Sequence, residues 1–225
     1  MLADNLKQIC EEIQLACDHV QRPIEDVTMI AVTKSVESYQ AEELIKLGVE
    51  DLAENRVDKL LEKKAVLKEF SNVKWHLIGN LQRRKVKLII NEVDYFHALD
   101  SLKLAEEIQK RSQKILPCFV EVNVSGEESK HGFKPDEVLS FIQDIAVFNK
   151  IKVIGLMCMA PLNASDSEVH MIFSQLKKLQ LNVSEQRLPH APCTELSMGM
   201  SNDFPIAIEE GATFVRIGTA IFRGA

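Results

Sequence analysis

The sequence of 225 residues lacks paired cysteines, lacks a glycine-rich phosphate fingerprint, lacks any apolar run long enough to cross a bilayer, and holds only two tyrosines and one tryptophan. Each absence excludes a class of protein. The five cysteines, Cys10, Cys17, Cys118, Cys158 and Cys193, are odd in number and scattered, with no Cys-x-x-Cys pair. That rules against a disulfide framework and a zinc ribbon and leaves reduced thiols, with Cys118 and Cys158 serving as small core hydrophobes. The six histidines are equally dispersed, so no metal is expected. The first ten residues do not place a basic start before an apolar stretch, and a cytoplasmic chain with no membrane contact is expected. Basic residues (27) are interspersed among acidic ones (33) for a net charge of -6, so nucleic acid is not an expected partner. The one basic cluster, Arg83-Arg84-Lys85 with Lys87, reads as the solvated face of a helix start.

What is present is a repeated alternation. Leu2, Leu6, Ile9, Ile13 and Ala16 recur at three- and four-residue spacing and lay an apolar stripe on a helix over 2–20. The run from Val27 to Thr33 is continuous, β-branched and ends abruptly at Lys34, as a strand buried on both faces does. Further strands are expected at 50–53, 73–78, 93–99, 117–124, 151–159, 194–198 and 213–217. Helices fall between them near 39–47, 55–69, 83–91, 101–113, 135–148, 166–182 and 204–210, the first stopped by Gly48. Eight strands with intervening helices and no linker predict one (β/α)8 barrel domain over 1–225 rather than an open doubly wound sheet. The first strand runs into Thr-Lys-Ser-Val-Glu where the open sheet would need Gly-x-Gly-x-x-Gly. Only eight residues follow Ile217, too few for a full outer helix, so the extra N-terminal helix is expected to cover that side.

In such a barrel the ligand site lies at the carboxyl ends of the strands. The polar residues just past the apolar runs are Lys34, Glu54-Asn55, His76 with Gly79-Asn80, Asn123 and Ser125, Ser201-Asn202-Asp203, and Arg216 with Gly218-Thr219. Lys34 at the tip of an apolar strand would be desolvated, which favours the neutral amine that attacks an aldehyde. By itself it also fits a lysine that extends along the rim or pairs with Glu54. Gly218 lets an anion approach backbone N–H groups, and Thr219 adds a hydroxyl. Ser201-Asn202-Asp203 before Phe204-Pro205 marks a helix start, which suits a phosphate and equally suits simple capping. His76 reads as a hydrogen-bonded barrel side chain rather than a catalyst, and Met157 and Met159 as barrel filling or a soft wall.

Five segments carry a resemblance: Ala31-Val32-Thr33-Lys34, Trp75-His76-Leu77-Ile78-Gly79-Asn80-Leu81-Gln82, Ser125-Gly126-Glu127-Glu128-Ser129-Lys130-His131-Gly132, Leu196-Ser197-Met198-Gly199-Met200-Ser201 and Val215-Arg216-Ile217-Gly218-Thr219-Ala220-Ile221-Phe222. In order and spacing they resemble the pyridoxal phosphate homeostasis proteins, over nearly the whole chain. The resemblance implies the alanine racemase N-terminal barrel (the fold-type III barrel of pyridoxal 5'-phosphate enzymes) and that cofactor as an imine on Lys34. It further implies Ser201, Gly218 and Thr219 on the phosphate, Asn55 near the ring substituents and Arg216 facing the pyridine nitrogen. A guanidinium there opposes protonation of the nitrogen, which makes the ring a poorer electron sink. The family often has Gly-Glu-Asn after the second strand, where this chain has Ala53-Glu54-Asn55, and small polar residues where this chain has Arg83-Arg84.

Three functions compete: a carrier that buffers pyridoxal phosphate without robust turnover, an amino-acid racemase, and a barrel enzyme using some other phosphate. Inversion needs proton transfer on both faces of the substrate, and the alanine racemases whose barrel the chain resembles use a lysine on one face and a tyrosine from a second domain on the other. The barrel uses up this chain, and neither Tyr39 nor Tyr95 falls at the catalytic end of an expected strand. The carrier is therefore favoured, with no catalytic residue assigned, apo-enzymes that use the cofactor as candidate recipients, and a monomer or weak dimer expected.

Overall fold

The computed structural model describes residues 1–127 and 131–224. Eight parallel strands close a barrel in sequence order: β1 Thr28–Val32, β2 Asp51–Glu54, β3 Lys74–Leu77, β4 Tyr95–Leu99, β5 Leu116–Glu121, β6 Ile151–Met157, β7 Glu195–Ser197 and β8 Phe214–Ile217. Closure comes from β1 pairing with β8, in register from Thr28 opposite Phe214 to Ala31 opposite Ile217. Every strand falls inside or overlaps its expected window, because barrel strands buried on both faces are mostly apolar and stop where polar chain begins.

The outer layer is α1 Leu2–His19, α2 Ser38–Lys46, α3 Val57–Val66, α4 Arg83–Ile89, α5 Leu102–Arg111, α6 Val138–Asp144, α7 Asp166–Glu185 and α8 Phe204–Glu209. The stripe foreseen on α1 is buried. It packs against α8, and Asn5 Nδ2 donates to the carbonyls of Ile221 (2.9 Å) and Arg223 (3.0 Å). The N-terminal helix thus covers the side left by the short C-terminal segment. The expected helix over 135–148 is three pieces, with single 3-10 turns at Pro135–Glu137 and Ile145–Val147 around α6.

Inside the barrel, side chains alternate inward and outward along each strand, and the floor is aromatic. Phe119 meets Phe214 at 5.3 Å and 73°, Tyr95 stacks on His76 at 4.5 Å, and His97 stacks on Phe119 at 4.4 Å. This plug fills the amino-terminal half. The carboxyl-terminal half is left to polar side chains.

Candidate functional site at the carboxyl rim

Register brings the expected residues onto adjoining strands. Ala31 faces Ile217 on β8, and Val32 faces Ala53 on β2, so continuing each strand sets Lys34 level with Asn55, and Gly218 level with Val32 at the same rim. Ser201, in the loop after β7, is tied to this rim by the hydrogen bond that its Oγ accepts from Gly218 N (3.3 Å). Two glycines permit this crowding. A Cβ on Gly218 would press on the Val32 carbonyl at 3.1 Å, and one on Gly79 would overlap the Asn55 backbone. Ala53, where the family often has glycine, is fully buried between β1 and β3.

Lys34 corrects one expectation. The strand ends at Val32, the turn begins at Thr33, and the lysine side chain is exposed rather than packed. What is buried is the support behind it. Thr33 O accepts from Val36 N (3.1 Å), closing the turn that presents Lys34, and from Lys63 Nζ (2.5 Å). Lys63 Nζ also meets Glu54 Oε1 (2.5 Å), which accepts from Thr33 Oγ1 (2.7 Å). Glu54 therefore pairs with Lys63 of α3, not with Lys34, and both members are out of water. Glu54 Oε2 has no hydrogen-bond partner among the described residues.

The side expected to meet a phosphate is assembled from two loops. Ser201 Oγ accepts from Gly218 N (3.3 Å) and Ala220 N (3.2 Å), so two main-chain N–H groups converge on one oxygen. Capping of α8 is not what these side chains do: Asp203 Oδ1 accepts from Met200 N (2.6 Å), and no side chain caps the helix. With α8 only six residues long, the loop N–H groups rather than the helix end form the cradle. Thr219 lies exposed beside it.

Arg216 points into the barrel one layer below Gly218 and is only 4% exposed. Its Nη1 donates to Ser197 Oγ (2.5 Å) and its Nη2 to Cys158 O (3.0 Å), leaving further N–H donors for a ligand. Burial lowers its pKa, while the Asp203 and Glu121 carboxyls nearby favour its charge. Behind Ser197 a row of polar groups continues: His97 Nδ1 at 2.8 Å, His97 Nε2 to His76 Nδ1 at 2.9 Å, and His76 Nε2 to Asp51 Oδ1 at 2.9 Å. His76 is thus the hydrogen-bonded core histidine the sequence suggested.

Glu121, at the end of β5, was not foreseen. It is 4% exposed and its Oε2 has no hydrogen-bond partner among the described residues. Burial, aided by Asp100 and opposed by His131 and Arg216, pushes its pKa up to about 7. A carboxyl raised on folding stabilises most below its unfolded value, and that stability is lost as pH rises through the folded value. Glu121→Gln stays neutral, so it should gain on the order of 2 kcal/mol over the wild type between about pH 5 and about pH 8. Urea unfolding at both pH values checks this; an unchanged difference contradicts it.

Other residues fall away from the site. Asn123 organises its own loop, accepting from Gly126 N (3.0 Å) and donating to Glu127 O (2.8 Å). Met157 is buried and Met159 is partly exposed. Arg83, Arg84 and Lys87 are exposed on α4, as a solvated face should be. Within the segment from Ser125 to Gly132, residues 128–130 lie outside the described residues. Lys63, His97, Asp51, Ser197 and Glu121 were missed, and their common signal is a polar residue inside an otherwise apolar strand or helix face.

Comparison with known proteins agrees with this fold. The family model for the alanine racemase N-terminal domain matches residues 5–225. A pyridoxal phosphate homeostasis protein of Aquifex aeolicus is 37% identical over 225 residues, covering 97% of this chain and 96% of that protein. The protein of that name from Escherichia coli K12 is 30% identical, covering 98% and 95%. Among solved structures, PipY of Synechococcus elongatus with pyridoxal phosphate bound superimposes with a TM-score of 0.86 at 29% identity, covering 99% of this chain and all of that one. An alanine racemase of Clostridium difficile 630 matches with a TM-score of 0.75 at 16% identity, over 97% of this chain and 56% of its own, a likeness of fold alone.

Proposed function

Because the chain belongs to the alanine racemase N-terminal domain family and, within it, to the pyridoxal phosphate homeostasis proteins, we propose that it holds pyridoxal 5'-phosphate as an imine on Lys34 and serves the intracellular carriage and buffering of that cofactor. The observation that carries this reading is the convergence of two features on adjoining strands: the turn presenting Lys34 after β1, and the paired N–H groups of Gly218 and Ala220 after β8. An amine and an anion cradle so spaced suit one molecule with an aldehyde at one end and a phosphate at the other.

The residues present fit the group. The Ser201 hydroxyl, Thr219 and, once Ser201 Oγ is turned aside, the N–H groups of Gly218 and Ala220 could hold a phosphate, since backbone donors converging on a point bind anions. The missing side chain of Gly218 keeps that approach open. Asn55 would meet the ring substituents, and the buried guanidinium of Arg216 would face the ring nitrogen. When bound, the cofactor supplies an electrophilic aldehyde carbon and a ring able to accept electrons. Arg216 is a permanent donor with no proton to give up at ordinary pH, so beside the ring nitrogen it would keep that ring a weaker electron sink.

Two points support the carrier over the racemase. Tyr95 opens β4 at the amino end of the barrel, stacked on His76, and Tyr39 is exposed on α2, so neither offers a second acid across from Lys34. A base on one face alone exchanges a proton but inverts poorly. The whole chain acts as one cofactor-binding domain in the cytoplasm, as a monomer or weak dimer, with apo-enzymes as recipients. Among the described residues no helix is long and apolar enough to cross a membrane.

Spectral titration with pyridoxal phosphate, followed by mixing with an apo-enzyme, tests this. A yellow complex that restores the enzyme's activity is expected; a protein that stays colourless overturns the reading. Deuterium exchange into amino acids should greatly outpace change in optical rotation, and inversion at ordinary enzyme rates would favour the racemase instead. Arg216→Ala should shift the absorption of the bound cofactor, and an unchanged spectrum would remove Arg216 from the ring.

A further inference from the structure

The row of polar groups through the barrel core has a donor-only group at one end and an acceptor-only group at the other. Arg216 has N–H hydrogens and no lone pair to offer, and an ionised Asp51 has lone pairs and no hydrogen. Between them stand Ser197, His97 and His76, with links of 2.5, 2.8, 2.9 and 2.9 Å in order from Arg216 to Asp51. Ser197 Oγ accepts from Arg216, so its own hydrogen is free to point at His97 Nδ1. That nitrogen is then the acceptor, which puts the His97 proton on Nε2. His97 Nε2–H meets His76 Nδ1, which puts the His76 proton on Nε2 as well, facing the Asp51 carboxylate. The opposite direction would set a bare His76 Nε2 against a carboxylate oxygen, unless an extra proton were added to a core in which both rings are fully buried.

We propose that Asp51, His76, His97 and Ser197 form a one-way hydrogen-bond relay, both histidines neutral with the proton on Nε2, whose work is to position Arg216 beneath the cofactor ring. Every dipole in the relay turns its negative end toward the guanidinium and its positive end toward Asp51. The charge of Arg216 is thereby balanced by a carboxylate on the far side of the barrel without a direct ion pair, and its remaining N–H groups stay available to a ligand. Low local dielectric strengthens such a chain, because each bond polarises the next. The four are positioning residues acting through Arg216, and their effect on the cofactor rests on the reading that Arg216 faces the ring nitrogen.

The first test needs neither variant nor cofactor. Nitrogen-15 spectra of the imidazoles in the ligand-free wild-type protein near neutral pH should show His76 and His97 both neutral and protonated on Nε2. A cationic ring, or a proton on Nδ1 of either, overturns the relay whatever the protein binds. The second arm uses the loaded protein. Ser197→Ala should shift the cofactor's absorption in the same direction as Arg216→Ala and weaken retention roughly tenfold, the loss of one charge-assisted hydrogen bond. Asp51→Leu should give a smaller shift of the same sign, and Asp51→Asn, whose amide oxygen still accepts from His76 but carries no charge, should give a spectrum closer to the wild type than Asp51→Leu does. Wild-type spectra for both Ser197→Ala and Asp51→Leu, beside a shifted Arg216→Ala, would overturn the positioning role. A wild-type protein that takes up no pyridoxal phosphate would instead defeat the functional reading and leave the tautomers to the nitrogen spectra.

Discussion

Lys34→Ala should lose the cofactor's imine absorption entirely, and borohydride treatment should then fix nothing to the protein. The lysine sits at the centre of a turn at the rim, presented by main-chain bonds that do not involve its side chain. Alanine is therefore accommodated without disturbing the fold. The proposed phosphate cradle of Ser201, Gly218 and Ala220 is built from other strands and should survive. Weak binding anchored through the phosphate should remain, with cofactor retained after dialysis falling at least roughly tenfold, since one covalent link is worth more than the 1.4 kcal/mol that a tenfold change represents. Absorbance after gel filtration and dialysis reads both effects. An undiminished imine band in the alanine variant would mean that another lysine carries the cofactor.

The largest effect on stability is expected at a residue that never touches the site. Lys63 and Glu54 are buried together, 4% and 0% exposed at the side chain, and Thr33 is tied to both. Replacing Lys63 with methionine keeps the volume and removes the positive charge, which leaves a carboxylate in the interior with one oxygen already unpartnered. Breaking one member of such a pair costs about 3–5 kcal/mol, whereas replacing both with apolar residues is often nearly neutral. Lys63→Met should therefore show the full loss in chemical denaturation, and Lys63→Met combined with Glu54→Leu should recover most of it. A single-variant loss under about 1 kcal/mol, the value of an exposed pair, would contradict the burial argument. The same variant should loosen the Thr33 carbonyl, so the turn that presents Lys34 loses its clamp as stability falls.

The barrel was legible because a strand enclosed on both faces has to be written as an unbroken apolar run. Val27 to Thr33 and Ile151 to Met159 announce themselves in that way, and Gly48, with φ of +95°, marks the turn after α2. The rim residues Lys34, Ser201 and Gly218 were legible for the same reason: polar chain after such a run can only be at the barrel mouth. Burial at the rim was misjudged, because apolar composition continues through Thr33 while the hydrogen-bonded strand stops at Val32. The interior relay was hidden by topology. Asp51, His76, His97, Ser197 and Arg216 come from β2, β3, β4, β7 and β8, and nothing in their separate contexts says that they meet. Only the closure of the sheet, with its inward alternation, puts them in one line. Lys63 was missed for a related reason: it continues the buried face of Val57 and Leu60 on α3, but the partner that explains it, Glu54, lies across a loop.

The most direct measurement is a peptide map of the wild-type protein after saturation with pyridoxal phosphate and reduction with borohydride. Mass spectrometry should find the pyridoxyl phosphate group on the peptide containing Lys34, in near-stoichiometric yield. Modification spread over surface lysines, or concentrated on a lysine away from the Ser201 and Gly218 loops, would contradict the account.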